Sequence, residues 1–114
     1  MNICIIIPAY NEEDYIVNTL ESLVSQTYPI KEIVIVNDNS TDNTRSIIDS
    51  FSQKHSFIKS ITTKSEAIHL PGSKVINAFY KGFEFIDKEY DLICKIDADL
   101  IFPSNYFESI IAIF

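Results

Sequence analysis

Two aspartates set two positions apart, Asp97 and Asp99, follow the apolar run Leu92-Ile93-Cys94-Lys95-Ile96. At a strand end both carboxylates can face one side, or a turn can aim both at one ion, and a hard divalent cation suits such oxygen ligands. With no histidine nearby and no cysteine partner, Mg²⁺ or Mn²⁺ fits them better than zinc, which prefers nitrogen and sulfur. The plainer alternative is that the pair caps the next helix or solvates a loop. Asp38 lies just past a second apolar run, Ile33-Val34-Ile35-Val36. Its carboxylate can accept hydrogen bonds from the imide or amide edge of a base such as uracil, or it can serve an Asx turn with Asn37 and Asn39. Tyr10 can stack on a base or wedge between elements. Lys64, Lys74 and Lys81 are candidates for a diphosphate, and Lys74 is preferred because it starts a helix beside a loop. His55 and His69 lack a serine or cysteine nucleophile in any recognisable setting.

These residues need elements to position them. Ile3 to Ile7 is continuously apolar and β-branched, the pattern of a strand buried on both faces, and Pro8 is expected to stop its ladder. Ile16, Leu20, Leu23 and Val24 recur at helical spacing behind Glu12, Glu13 and Asp14, predicting a helix over about 12–25. The second strand ends at Asn37-Asp38-Asn39-Ser40, where Asn39 is the best non-glycine residue for a left-handed turn. Ser40, Thr41 and Asp42 then suit the N-cap of a helix carrying Ile47, Ile48 and Phe51. Phe57 to Thr63 reads as a more polar, edge-type strand, and Lys64 to Ser73 as a loop. Val75, Ile76, Phe79, Phe83 and Ile86 mark a third helix, and Leu92 to Ile96 a fourth strand. Pro103 suits the first position of a last helix with Tyr106, Phe107, Ile110 and Ile111. The β-α-β-α-β-α-β-α order calls for an α/β fold with a mostly parallel sheet and helices on both faces. In such sheets ligands bind at the carboxyl ends of the strands, where three of the four runs end in polar clusters.

Length and composition narrow the function classes. At 114 residues the chain has the size of one domain, and 46% hydrophobic against 22% charged residues is the balance of a folding globular protein. Only Gly72 and Gly82 are glycines, which removes the glycine-rich dinucleotide turn and the P-loop. A formal net charge of −7 argues against nucleic acid and would repel a nucleoside diphosphate unless a cation intervened. Cys4 and Cys94 sit inside apolar runs and read as buried, reduced thiols, and the N-terminus lacks the pattern of a secretory signal. A cytoplasmic setting is expected, with peripheral attachment at the inner face of a membrane compatible with a longer chain. No apolar stretch approaches the ~20 residues needed to cross a bilayer. The apolar end Ile110-Ile111-Ala112-Ile113-Phe114, without a glycine cap or polar tail, reads as a fragment of a longer protein.

Taken together, Ile5-Ile6-Ile7-Pro8-Ala9-Tyr10-Asn11-Glu12, Ile33-Val34-Ile35-Val36-Asn37-Asp38-Asn39-Ser40-Thr41-Asp42 and Lys95-Ile96-Asp97-Ala98-Asp99 closely resemble the N-terminal half of the family 2 glycosyltransferases. Ser25-Gln26-Thr27-Tyr28-Pro29 adds to the match. The resemblance implies a GT-A fold and inverting transfer of a sugar from a uridine or guanosine diphosphate donor, with a divalent metal, Mg²⁺ or Mn²⁺. It implies that Pro8 and Tyr10 line the nucleoside pocket, that Asp38 bonds the base, that Asp97 contacts the ribose or metal and that Asp99 ligates the metal; with Ala9, Asn11 and Glu12 of the first motif, and Lys74 chosen from its place at a helix start, these make the expected nucleotide site, with Asp99 and Asp97 at the metal. The glycan or lipid-linked acceptor is not legible. The family's usual Asp-Asp-Gly-Ser is here Asn37-Asp38-Asn39-Ser40, and its acidic catalytic base lies beyond position 114. The chain is thus expected to be one domain, 1–114, the donor-binding half of the enzyme. The alternative is a non-catalytic α/β interaction module that self-associates through an exposed C-terminal helix. A receiver-like signalling domain leaves Pro8-Ala9-Tyr10-Asn11 unexplained.

Overall fold

The computed structural model describes residues 1–63, 73–86 and 88–114, with the side chains of 73–76 outside that description. Eight elements alternate along the chain: β1 (Ile3–Ala9), α1 (Ile16–Val24), β2 (Glu32–Asp38), α2 (Thr44–Lys54), β3 (Ile58–Thr63), α3 (Ser73–Phe85), β4 (Leu92–Lys95) and α4 (Tyr106–Ile111). The four strands form one sheet in the order β3-β2-β1-β4, every pair parallel. The polar strand β3 is at an edge, as its composition predicts. After β3 the chain returns past β1 to add β4 on the other side, so a topological switch point falls between β1 and β4.

Side-chain alternation divides the core into two layers. Ile3, Ile5, Ile7 and Ala9 of β1, with Ile33 and Ile35 of β2, pack against Ile16, Leu20 and Leu23 of α1, Ile48 of α2 and Phe107 of α4. Cys4 and Ile6, with Val34 and Val36, pack on the opposite face against Ala78 of α3 and Ile86. Ile3 through Ile7 are fully buried, which is what a central strand demands. Burying each such isoleucine contributes about 1.5–3 kcal/mol, so this short run dominates the apolar core. Cys94 is only half-buried, unlike Cys4. Its burial nevertheless pushes the thiol above the ordinary cysteine range, consistent with an inert side chain.

Three local expectations differ from the structure. Pro8 does not end β1, because the pairing with β2 continues through Pro8↔Val36 to Ala9↔Asn37. It acts on the other side. The β1–β4 pairing stops at Ile6↔Lys95, Ile96 N–H still donates to Ile6 O at 3.0 Å, and the next bond of a parallel ladder would need an N–H from residue 8. The regular helix begins at Ile16 rather than near Glu12, but Glu12 O already accepts from Ile16 N–H at 2.9 Å, so a turn over 12–15 leads into it, and the N–H groups of Glu12 and Glu13 that a helix start leaves open are met by Thr44 Oγ1 and Asp42 Oδ2. The last helix begins at Tyr106, not Pro103, whose carbonyl accepts from Tyr106 N–H and from Gln26 Nε2. The expected loop at 64–73, with Lys64 and His69, lies outside the described residues except that Ser73 opens α3. No helix among the described residues is long and apolar enough to cross a membrane.

Gly82 is the point of closest approach between α3 and the sheet. A Cβ there would stand 2.7 Å from Ile6 Cγ2 and 2.9 Å from Val36 Cγ2. Gly82→Ala should therefore lower the denaturant midpoint by about 1–3 kcal/mol of stability, although alanine is the better helix former by roughly 1 kcal/mol. A midpoint that stays level or rises would show that α3 is not seated on Ile6 and Val36.

Candidate functional site

Alternation along the strands decides which polar residues meet. Pro8 follows Ile6 by two, Asp38 follows Val36 by two, and Asp97 follows Lys95 by two and Ile93 by four. All three thus continue the face covered by α3. They open onto a cleft of about 320 Å³ lined by Pro8, Ala9, Tyr10, Glu12, Asp38, Ala78, Asp97, Ala98 and Asp99. The cleft sits at the carboxyl ends of β1, β2 and β4, where β4 parts from β1 beyond Ile96. Asp38 is buried at 7% exposure on one side, and Tyr10 stands 53% exposed on the rim.

The loops after β1 and β2 are bonded to each other as well as to their own elements. Asn11 N–H donates to Ser40 Oγ at 3.1 Å, and Thr41 N–H donates to Asn11 Oδ1 at 2.8 Å. Glu12 N–H reaches Thr44 Oγ1 at 2.9 Å, and Asn43 N–H reaches Glu13 Oε2 at 3.1 Å. Asn11 and Asn39 both take left-handed backbone, at φ 50° and 52°. Asparagine tolerates that region best after glycine, so the Asn39 turn forms as its position predicts. Asn37 Oδ1 closes it by accepting Ser40 N–H at 3.2 Å. Neither Ser40 nor Thr41 caps α2, since Asp42 Oδ1 takes the Thr44 N–H at 2.9 Å.

The loop carrying Asp97 and Asp99 is fixed from α1. Thr19 Oγ1 donates to Ala98 O at 2.9 Å, and Phe102 N–H donates to Ser22 Oγ at 3.1 Å. Ala98 is thereby held inward and buried, while Asp97 and Asp99 on either side are exposed. Lys95 Nζ lies 3.1 Å from Asp97 Oδ1. Among the described residues no group of three or more His, Cys, Asp or Glu side chains is arranged to hold a metal. Two exposed carboxylates suit a hard cation that completes its shell with water and ligand phosphate oxygens rather than a closed protein cage.

Residues 4–114 match the family described as Glycosyl transferase family 2. The chain belongs to that family. It is 39% identical over 99 residues to "Probable glycosyltransferase YdaM" of Bacillus subtilis (strain 168), covering 85% of this chain and 22% of that protein. It is 36% identical over 103 residues to "Poly-beta-1,6-N-acetyl-D-glucosamine synthase" of Staphylococcus epidermidis, covering 90% of this chain and 23% of that protein. The solved structure of S. aureus TarS 1-349 in complex with UDP superposes with a TM-score of 0.79 at 27% identity, over 98% of this chain and 31% of that one. The sheet and its helices are therefore those of the GT-A fold. The chain spans about a quarter of the length of the curated relatives it matches.

The cleft gathers Pro8, Ala9, Tyr10, Glu12, Asp38, Asp97 and Asp99 of the residues singled out from sequence. Asn11 is not among its walls, because its side-chain amide is turned to Thr41. Lys74 lies in α3, but its side chain falls outside the described residues. Sequence reasoning missed Ala78 and Ala98 as walls, and Thr19 and Ser22 as anchors. Small or weakly polar residues on helices give no signal until the sheet order is known.

Electrostatics make the rim strongly anionic. The Glu12 carboxyl is held above its ordinary range, first by burial, then by the negative charges of Asp99, Asp42 and Asp97. Asp42 moves the other way: desolvation pushes it up, but hydrogen bonds from Thr44 and Glu13 outweigh that and lower it. For Glu12 the folded state binds the proton more tightly than the unfolded one. Its ionised form therefore costs stability once pH exceeds the folded value, and that cost vanishes below the unfolded one. Glu12→Gln should raise the thermal midpoint at about pH 7 and leave it unchanged at about pH 3, where both states are protonated. An equal gain at both pH values would show that charge is not the cause.

Proposed function

We propose that this chain is the donor-binding half of an inverting glycosyltransferase, and that the cleft takes a uridine or guanosine diphosphate sugar. The observation that carries this reading is that residues 10, 38 and 97–99, remote in sequence, form one cleft at the switch point of a parallel sheet. The similarity to TarS, solved with UDP, and separately with UDP-GlcNAc at 29% identity, supports a nucleotide-sugar ligand.

In this reading Tyr10 supplies a ring face to the base, and Asp38 accepts a hydrogen bond from its N–H edge. Pro8 and Ala9 form the apolar floor, Lys74, in the sequence of α3, is the candidate cation for the diphosphate, and Asp97 and Asp99 hold Mg²⁺ or Mn²⁺. When bound, the cation offsets the charge that develops on the leaving diphosphate as the bond to the sugar breaks. Asp97 must release Lys95 to do so, which leaves the Lys95 ammonium beside the incoming phosphates. Nothing in the cleft is assigned as the acceptor-activating base, so transfer requires a group from outside these residues.

Calorimetric titration with UDP and GDP, with and without Mn²⁺, tests this reading. One of the two should bind, and Asp99→Asn should weaken Mn²⁺-dependent binding by at least roughly tenfold, about 1.4 kcal/mol. Asp38→Ala should weaken binding with or without metal. If neither nucleotide binds, or Asp99→Asn binds as the wild type does, the reading fails. The exposed side chains of Ile101, Ile113 and Phe114 favour a second reading, a module that pairs with another copy of itself. Equilibrium sedimentation separates the two: a monomer that binds nucleotide removes the second.

A further inference from the structure

The β1–β2 ladder has its last registered pair at Ala9↔Asn37. One residue further, Asp38 pairs with Thr63 of β3, and Tyr10 follows the last residue of β1. Bonds that tie the two loops together begin at Asn11 on one side and at Ser40 on the other. Asn11 follows Tyr10 and Asn39 follows Asp38, and both occupy left-handed backbone that turns the two loops towards each other. Asn11 Oδ1 accepts Thr41 N–H at 2.8 Å, while its Nδ2 donates to Thr41 Oγ1 at 3.3 Å. One amide thus uses its acceptor and its donor on the same residue of the neighbouring loop, and it does so outside the cleft walls.

We propose that Asn11 is a positioning residue, whose amide fixes the gap between Tyr10 and Asp38 through Thr41 and so governs nucleoside affinity without touching the nucleotide. This rests on the donor-site reading above. Exposed hydrogen bonds of this kind stabilise a fold only modestly, so a purely structural role would appear in thermal stability before it appeared in affinity. A positioning role reverses that order, because affinity depends on how well the two walls are preset.

The test uses UDP and GDP as probes, with three variants. Asn11→Gly keeps the left-handed turn and removes the amide, Asn11→Asp keeps the acceptor for Thr41 N–H, and Thr41→Val removes the hydroxyl partner. Asn11→Gly should weaken nucleotide binding roughly tenfold while the thermal midpoint stays close to wild type, and Asn11→Asp should recover most of the loss. The double variant Asn11→Gly/Thr41→Val should bind no more weakly than Asn11→Gly, since the two act as a unit. Wild-type affinity in Asn11→Gly, or losses that multiply in the double variant, would overturn the proposal. If the wild type binds neither nucleotide, the donor-site reading has failed. Amide exchange then judges the latch: Thr41 N–H should exchange roughly tenfold faster in Asn11→Gly, and unchanged protection would overturn it.

Discussion

The site exists because one strand is short of one hydrogen-bond donor. Ile96 N–H closes its bond to Ile6 O, and the next rung of a parallel ladder would draw on an N–H that Pro8 does not have. Beyond that rung β4 is released from β1. Asp97, Ala98 and Asp99 then leave the sheet and form one wall of the cleft, while Pro8 and Ala9 remain as its floor. The parting falls at the switch point between β1 and β4. A proline that reads in sequence as a strand terminator thus works as a one-sided terminator, with pairing to β2 kept and pairing to β4 stopped.

A second constraint is charge. Glu12, Asp42, Asp97 and Asp99 sit close enough that the last three push the Glu12 carboxyl upward after burial has done so. A chain of net charge −7 with that rim is repulsive to phosphate, and only the half-exposed Lys95, 3.1 Å from Asp97, counters it at the described cleft mouth. Hydrogen bonds rather than cations hold the acidic loops together. The Thr19 bond to Ala98 O orients the aspartate pair without neutralising it, leaving the carboxylates available to a cation.

Element order, the central place of β1 and the edge place of β3 were legible because each follows from a local pattern: unbroken β-branched runs, helical periodicity, a polar strand. The candidate walls Pro8, Tyr10, Asp38, Asp97 and Asp99 were legible because parallel sheets bind ligands at strand ends. Helix starts were not. Glu12 and Glu13 look like the first turn of a helix and do open a turn into α1, but that their N–H groups meet Thr44 and Asp42, about thirty residues on, follows only from the β1–β2 register. The bonding of the Asn11 amide was hidden for the same reason: nothing in its local sequence shows that Thr41 lies opposite. Pro103 fits a helical first position by type, but Gln26 engages its carbonyl and the helix begins later. Ala78 carries no local signal at all.

Ala78 and Gly82 are four residues apart on α3, about one turn or 6 Å along its axis. One forms a wall of the cleft and the other lies hard against Ile6 and Val36 in the sheet. One helix therefore carries both a wall of the cleft and, a turn away, its closest contact with the sheet. The cleft wall at Ala78 is thus backed, one turn along the same helix, by close-packed core rather than by solvent.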